Sequence, residues 1–164
     1  MKSILLLVFM LPVIAACGFH LRGSQADAGS EVEQLYLQTA GTTGVADEVR
    51  SQLQASETTI LNSSVGAELT LNLTNQSLAK TVLSVSSVTG KVEEYQLTLS
   101  VLMSVFDAEK NDLISNQTIR VTRDYTFDEN AVLGTVTEEK ALTEELTRQA
   151  ATQIIRRLNA VTRD

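Results

Sequence analysis

Scarcity rules out much of the chemistry this chain could otherwise carry. Its 164 residues include one cysteine, Cys17, one histidine, His20, one proline, Pro12, and no tryptophan. Nucleophile–base catalysis usually needs Cys or His beside a second polar group, and the only copies of both lie three residues apart near the N-terminus. No run of His, Cys and carboxylates has metal-site spacing. Neither G-x-G-x-x-G nor the Walker A pattern occurs. The expectation is a protein that is not an enzyme and holds no metal or diffusible cofactor.

Positive charge is also in short supply, with 13 Lys and Arg against 20 Asp and Glu and a net charge of −7. A nucleic-acid partner calls for a basic face, so none is expected. Adhesion to anionic lipid through net charge alone is excluded on the same ground. Contact with phosphate therefore has to come from a local cluster of cations.

Only one long apolar run is present, from Ile4 to Ile14, and it opens after Lys2 and closes on Ala15 and Ala16. A basic start, a short apolar core and a small-residue end read as a secretory signal over residues 1–16. The run is shorter than the roughly 20 residues of a spanning helix and contains Pro12. Cys17 follows directly, and "VIAAC" resembles the lipobox of bacterial lipoproteins, with Val13 or Ile14 where leucine is usual. That resemblance implies a diacylglycerol on the Cys17 thiol, cleavage before it and an acyl chain on the new amino group. The alternative is an ordinary signal with a chance cysteine behind it. Gly18 in the next position, by resemblance to the sorting rule of enteric lipoproteins, implies the outer membrane.

Removing residues 1–16 leaves 148, a size that suits one domain. Residues 17–30 are expected to form the lipidated N-terminus and tether, and residues 31–164 a single globular domain. Within it, "EVEQLYLQ" (Glu31–Gln38) reads as a strand. Val45, Val49 and Leu53 recur at spacing four and predict a helix with Thr43 as its cap, ending near Ser56. After a polar loop, Leu69, Leu71 and Leu73 alternate with Thr70, Asn72 and Thr74, the clearest period-two signal in the chain. This strand is expected to continue, bent, through Leu83 and Val85 to a turn at Gly90. Tyr95, Leu97, Leu99, Val101, Met103 and Val105 alternate beyond that turn, giving a long hairpin. Ile119, Val121, Tyr125 and Phe127 mark a further strand. Thr135 and Glu138 match a capping box, and Leu142, Leu146, Ala150, Ile154, Leu158 and Val161 predict an amphipathic helix of about twenty residues. The expected fold is α+β, with two helices on one face of a four-stranded mixed sheet in the order β-α-β-β-β-α.

Few polar residues stand out. "GTTG" at Gly41–Gly44 is read either as an anion loop before a helix or, by preference, as a plain turn, and four N-x-S/T matches in an Asn-, Ser- and Thr-rich chain carry little weight. Arg123 shares strand parity with Ile119, Val121, Tyr125 and Phe127. It is read either as a bulge, edge or snorkelling position or as a charge kept for a partner. Lys80, Lys91 and Arg120 are the other cations on or beside the strands, each a surface charge when taken alone.

"CGFHLRG" (Cys17–Gly23) resembles the mature N-terminus of the LPS-assembly lipoprotein LptE family. "EEYQL" (Glu93–Leu97), "RDYTF" (Arg123–Phe127) and "QAATQIIRRL" (Gln149–Leu158) are also similar to it. The resemblance implies that Cys17 is the lipidation site and that His20 is neither ligand nor base. It implies a plug inside the LptD β-barrel of the outer membrane, bound one to one on the periplasmic side. It also implies support for barrel assembly and for lipopolysaccharide transport, with binding of lipopolysaccharide itself. Lys80, Lys91, Arg120 and Arg123 are the candidate contacts to lipopolysaccharide phosphate, although the domain as a whole is acidic. The competing reading is a pilotin-like or other accessory lipoprotein of an outer-membrane secretion complex.

Overall fold

The computed structural model describes residues 32–128 and 132–162. The signal over 1–16, Cys17, His20 and the tether to residue 30 lie outside the described residues. Strand β1 spans Gln34–Ala40, helix α1 Thr43–Ala55, β2 Thr59–Leu61, β3 Leu69–Val85, β4 Val92–Asp107, β5 Asp112–Thr126 and helix α2 Val132–Val161. The strands form one mixed sheet in the order β2-β1-β3-β4-β5. β1 is parallel to β2 and β3, and the other neighbours are antiparallel.

Two helices on one face of a mixed sheet is the architecture the pattern predicts, with one more strand than expected. The added strand is β2, a three-residue edge segment paired Gln34 to Thr59 and Tyr36 to Leu61. Three residues are too few for alternation to be read, and Thr58 and Thr59 make the segment look like a loop. The last helix has 30 residues, about 45 Å of rise, rather than about twenty. Thr135 consequently lies inside its first turns and is buried there, not at a cap.

The core lies between the helices and one sheet face. Leu35 and Leu37 of β1, Leu69, Leu71 and Leu73 of β3, the alternating Leu97 to Val105 of β4, and Ile119, Val121 and Tyr125 of β5 meet Val45, Val49 and Leu53 of α1 and Leu146, Ile154, Ile155 and Leu158 of α2. Most of these side chains are fully buried. Each is worth roughly 1.5–3 kcal/mol relative to exposure.

Two bulges set which residues face the helices. Thr74 pairs with Leu102 and Ser77 with Ser100, so Asn75 and Gln76 together oppose Val101. Asn75 is left-handed at φ 53, a conformation asparagine tolerates better than most residues. Beyond this bulge the inward parity of β3 switches from odd to even, and Leu78, Lys80 and Val82 point to the helix side. On β5, Ser115 and Asn116 oppose Ser104, and the Ser104 hydroxyl accepts the Asn116 N–H at 3.1 Å.

The β3 bulge also closes α1. The residue before the helix is Thr42, not Thr43, and it makes no side-chain cap. Its hydroxyl instead donates to the Leu73 carbonyl. The orphan N–H of Val45 is taken by Gln76 Oε1 at 3.2 Å.

Candidate functional site

Sheet register places Lys80 of β3, Leu97 of β4 and Arg123 of β5 in one row across three strands. All three are on the helix face. The two cations are therefore two strand spacings apart, about 10 Å, with an apolar residue between them. The next row toward the hairpin tip is Val82, Tyr95 and Tyr125. Tyr95 stacks on Tyr125 with ring centroids 5.8 Å apart, and Phe127 meets Tyr95 edge-on at 5.5 Å. The Lys80 ammonium lies 4.4 Å from the Tyr95 ring centre and 5.4 Å from that of Tyr125, within cation–π range.

Helix α2 supplies the anions. Glu139 Oε2 accepts from Lys80 Nζ at 2.6 Å and from the Tyr125 hydroxyl at 2.8 Å. Glu145 Oε1 accepts from Arg123 Nε at 3.2 Å and Nη2 at 2.8 Å, and from Gln149 Nε2 at 2.8 Å. Hydrogen bonds from Lys80 and Tyr125 hold the Glu139 carboxyl below the usual carboxylate range. The Glu139 carboxylate in turn raises the Lys80 ammonium. Burial pushes the Tyr125 phenol up. Each of the two ion pairs is partly exposed, and such pairs are worth at most about 1 kcal/mol. They orient side chains more than they stabilise the fold.

The four candidate cations do not converge. Lys80 and Arg123 share a row, whereas Arg120 has the opposite parity on β5 and projects from the other face. Lys91 lies at the β3–β4 turn, where Gly90 is left-handed at φ 70. The Lys80 position is the one sequence alternation misplaces, because the bulge at Asn75 reverses it. Glu139 and Glu145 escape a reading that looks only for cations, although their six-residue spacing on one helix is visible in the chain.

Among the described residues no helix covers the opposite sheet face. It carries Gln38, Asn72 and Ser104 in one row, Ser77, Ser100 and Arg120 in another, and Ala79, Thr98 and Thr122 in a third. It is a broad field of hydroxyls and amides interrupted by Tyr36, Leu102 and Phe106. The outer half of the β3–β4 hairpin bears exposed apolar side chains at Leu78, Val82, Leu83, Val85 and Val88, the last 90% exposed. Among the described residues no group of His, Cys, Asp and Glu could hold a metal, and no described helix is long and apolar enough to cross a membrane.

The family model for LptE, lipopolysaccharide assembly, matches residues 32–158. That range takes in β1 through nearly all of α2. The chain belongs to the LptE family. It is 33% identical over 160 residues to the LPS-assembly lipoprotein LptE of Photorhabdus laumondii, covering 96% of this chain and 85% of that one. It is 30% identical over 159 residues to LptE of Yersinia pestis, covering 96% of this chain and 75% of the relative. Among solved structures, lipoprotein B of Nitrosomonas europaea superposes with a TM-score of 0.73 at 29% identity, over 89% of this chain and 93% of that one. Rare lipoprotein B of Shewanella oneidensis gives a TM-score of 0.69 at 27% identity, over 79% and 96%. As an LptE-family lipoprotein the chain is assigned to lipopolysaccharide assembly. The resemblance drawn from "CGFHLRG" and the later segments thus names the right family.

Proposed function

We propose that this LptE-family protein is held in the outer membrane by acyl chains on Cys17 and fills the lumen of the LptD β-barrel from the periplasmic side, one copy to one barrel. The observation that carries this reading is the polar sheet face that no described helix covers. Large outer-membrane barrels have polar interiors, and a face of Ser, Thr, Asn and Gln can exchange hydrogen bonds with such a wall. A sheet face meant for a second layer of helices would instead be apolar, as the opposite face of this sheet is. Plugging the barrel supports its assembly and the passage of lipopolysaccharide to the outer leaflet, a role in transport rather than catalysis. Of the four candidate contacts to lipopolysaccharide phosphate, Lys80 and Arg123 share a row on the helix face and Lys91 lies at the hairpin turn, whereas Arg120 lies on the face assigned here to the barrel wall.

Co-purification tests the proposal. The wild-type protein, extracted in detergent, should retain a large β-barrel protein at one-to-one stoichiometry. Retention of a secretin ring instead would support the accessory-lipoprotein alternative. Cys17→Ser should leave the protein unprocessed or free in the periplasm, and an unmodified Cys17 on the mature wild-type protein, seen by mass spectrometry, would remove the anchor. Replacing Lys80, Lys91 and Arg123 with Ser should weaken lipopolysaccharide binding while the barrel stays bound, with Arg120 left in place because it lies on the face that meets the barrel. Unchanged affinity in that variant would refute those contacts.

A further inference from the structure

Lys80 and Arg123 are the two cations built into the apolar sheet face, and each already holds an anion from the chain itself. Lys80 Nζ and the Tyr125 hydroxyl converge on one oxygen of Glu139, at 2.6 and 2.8 Å. Arg123 directs Nε and Nη2 to one oxygen of Glu145, which Gln149 also supports. An ammonium, a phenol and a guanidinium are the donors that recognise phosphate oxygens. The phenol is informative here, because a hydroxyl aimed at the same oxygen as the ammonium completes a cradle for an oxyanion.

We infer that Glu139 and Glu145 are internal competitors that occupy the anion positions of this row, so that a phosphorylated glycolipid gains Lys80 and Arg123 only by displacing them. The inference rests on the reading that this chain binds lipopolysaccharide, and specifies how that binding is restrained. The row as it stands has two cations and two carboxylates, and presents no net positive charge in a chain of net charge −7. An incoming phosphate is attracted only once a carboxylate has turned away. Both carboxylates are free to do so, since the Glu139 and Glu145 side chains are 33% and 40% exposed. A phosphate group brings about −1.5 to −2 charges and three acceptor oxygens, against one charge and two oxygens for each carboxylate it replaces. The depressed Glu139 carboxyl and the raised Lys80 ammonium agree with a site that favours an anion at this position. The groups facing that anion are Lys80 from β3, Tyr95 from β4, Tyr125 from β5 and Glu139 itself from α2. The two carboxylates would keep the row closed to stray anions and set a threshold for the glycolipid.

The test uses the full lipidated protein with Glu139→Gln, Glu145→Gln and the double substitution. Glutamine keeps an oxygen that accepts the same donors, so the fold is expected to stand, and thermal melts check it. Binding is measured with lipopolysaccharide and with dephosphorylated lipopolysaccharide. Each substitution should tighten binding of the phosphorylated form by about two- to fivefold and leave the dephosphorylated form unchanged. Glu144→Gln, an exposed carboxylate on the same helix, should give no gain. The inference is overturned by a folded double variant with no gain, by an equal gain for the dephosphorylated form, or by an equal gain from Glu144→Gln. Complete displacement by stoichiometric inorganic phosphate would assign the cradle to free phosphate and overturn the glycolipid assignment. If wild type and every variant bind neither form, the lipopolysaccharide reading falls as well. If wild type binds and only the gain is missing, the competitor inference falls alone.

Discussion

Gln76 Oε1 accepts the backbone N–H of Val45 at 3.2 Å, a bond between a strand bulge and the first turn of a helix 31 positions earlier. The first four N–H groups of a helix lack intrahelical partners, and Thr42 spends its hydroxyl on Leu73 rather than on the helix. A residue of β3 therefore caps α1. Gln76→Ala should lower stability by about 0.5–2 kcal/mol, the range for loss of an N-cap. Gln76→Glu should lose less, because a carboxylate suits the positive end of a helix. Chemical denaturation of the three proteins checks the order, and an unchanged stability of the Ala variant would show that the cap contributes nothing.

Leu71 and Asn72 are neighbours on β3 with opposite environments. Leu71 is fully buried under the helices, and Asn72 lies partly exposed on the uncovered face. Leu71→Asp places an unpaired carboxylate in the core and should prevent folding, while Leu71→Ala should cost about 2–5 kcal/mol. Asn72→Asp should change stability by no more than about 0.5 kcal/mol. Comparable melting temperatures for Leu71→Asp and Asn72→Asp would contradict the assignment of faces.

That alternation also shows which parts of the molecule were legible in the chain. Leu69 to Leu73 and Leu97 to Met103 bury every second residue on a regular pleat, so the central strands and the inward face could be read directly. Arg123 could be read too, because the apolar residues of its strand share its parity. Lys80 could not. Its side depends on the bulge at Asn75 and Gln76, and a bulge adds one residue without a distinctive local signature. β2 was hidden by its length. The start of α2 was hidden because Thr135 and Glu138 form a plausible cap that the helix overruns. The partners of Lys80 and Arg123 sit 59 and 22 positions away, and no local pattern joins residues so far apart.

The Lys80–Glu139–Tyr125 group gives stability a defined pH dependence. Glu139 is held below its ordinary 4.5 by Lys80 and Tyr125, so its contribution is present above that pH and lost as pH falls through the lowered value. Lys80 is raised above 10.5 by Glu139, and its contribution is present below that pH and lost as pH rises through the raised value. Tyr125 is raised above 10.0 by burial, which also erodes stability on the alkaline side. The group should be complete from about pH 5 to pH 10. Glu139→Gln should flatten the acid limb of a melting-temperature profile relative to wild type and change the neutral plateau by no more than about 1 kcal/mol. An acid limb of unchanged slope would show that other carboxylates, such as Asp107 with its Asn111 partner, carry the whole effect.

The sheet face that no described helix covers is the surface on which barrel contact can be tested. Thr98 and Ser100 of β4 lie at its centre, flanked by Ala79 and Ser77 on β3 and by Thr122 and Arg120 on β5. Their side chains point away from both helices, so a larger residue there meets solvent rather than core. Ser100→Trp should therefore leave the melting temperature within a few degrees of wild type, a shift equivalent to less than about 1 kcal/mol. In the proposed complex the same ring would be forced between the sheet and the polar barrel wall. It would break hydrogen bonds there and hold the surfaces apart, and an unpaired polar group left buried costs about 1–3 kcal/mol. Recovery of the barrel with the Ser100→Trp protein should fall at least about tenfold, since loss of two such bonds exceeds 1.4 kcal/mol. Thr98→Ser, which keeps the hydroxyl, should leave recovery unchanged. A folded Ser100→Trp protein that still retains the barrel at full stoichiometry would show that this face looks elsewhere, and the exposed hairpin from Leu78 to Val88 would become the surface to probe.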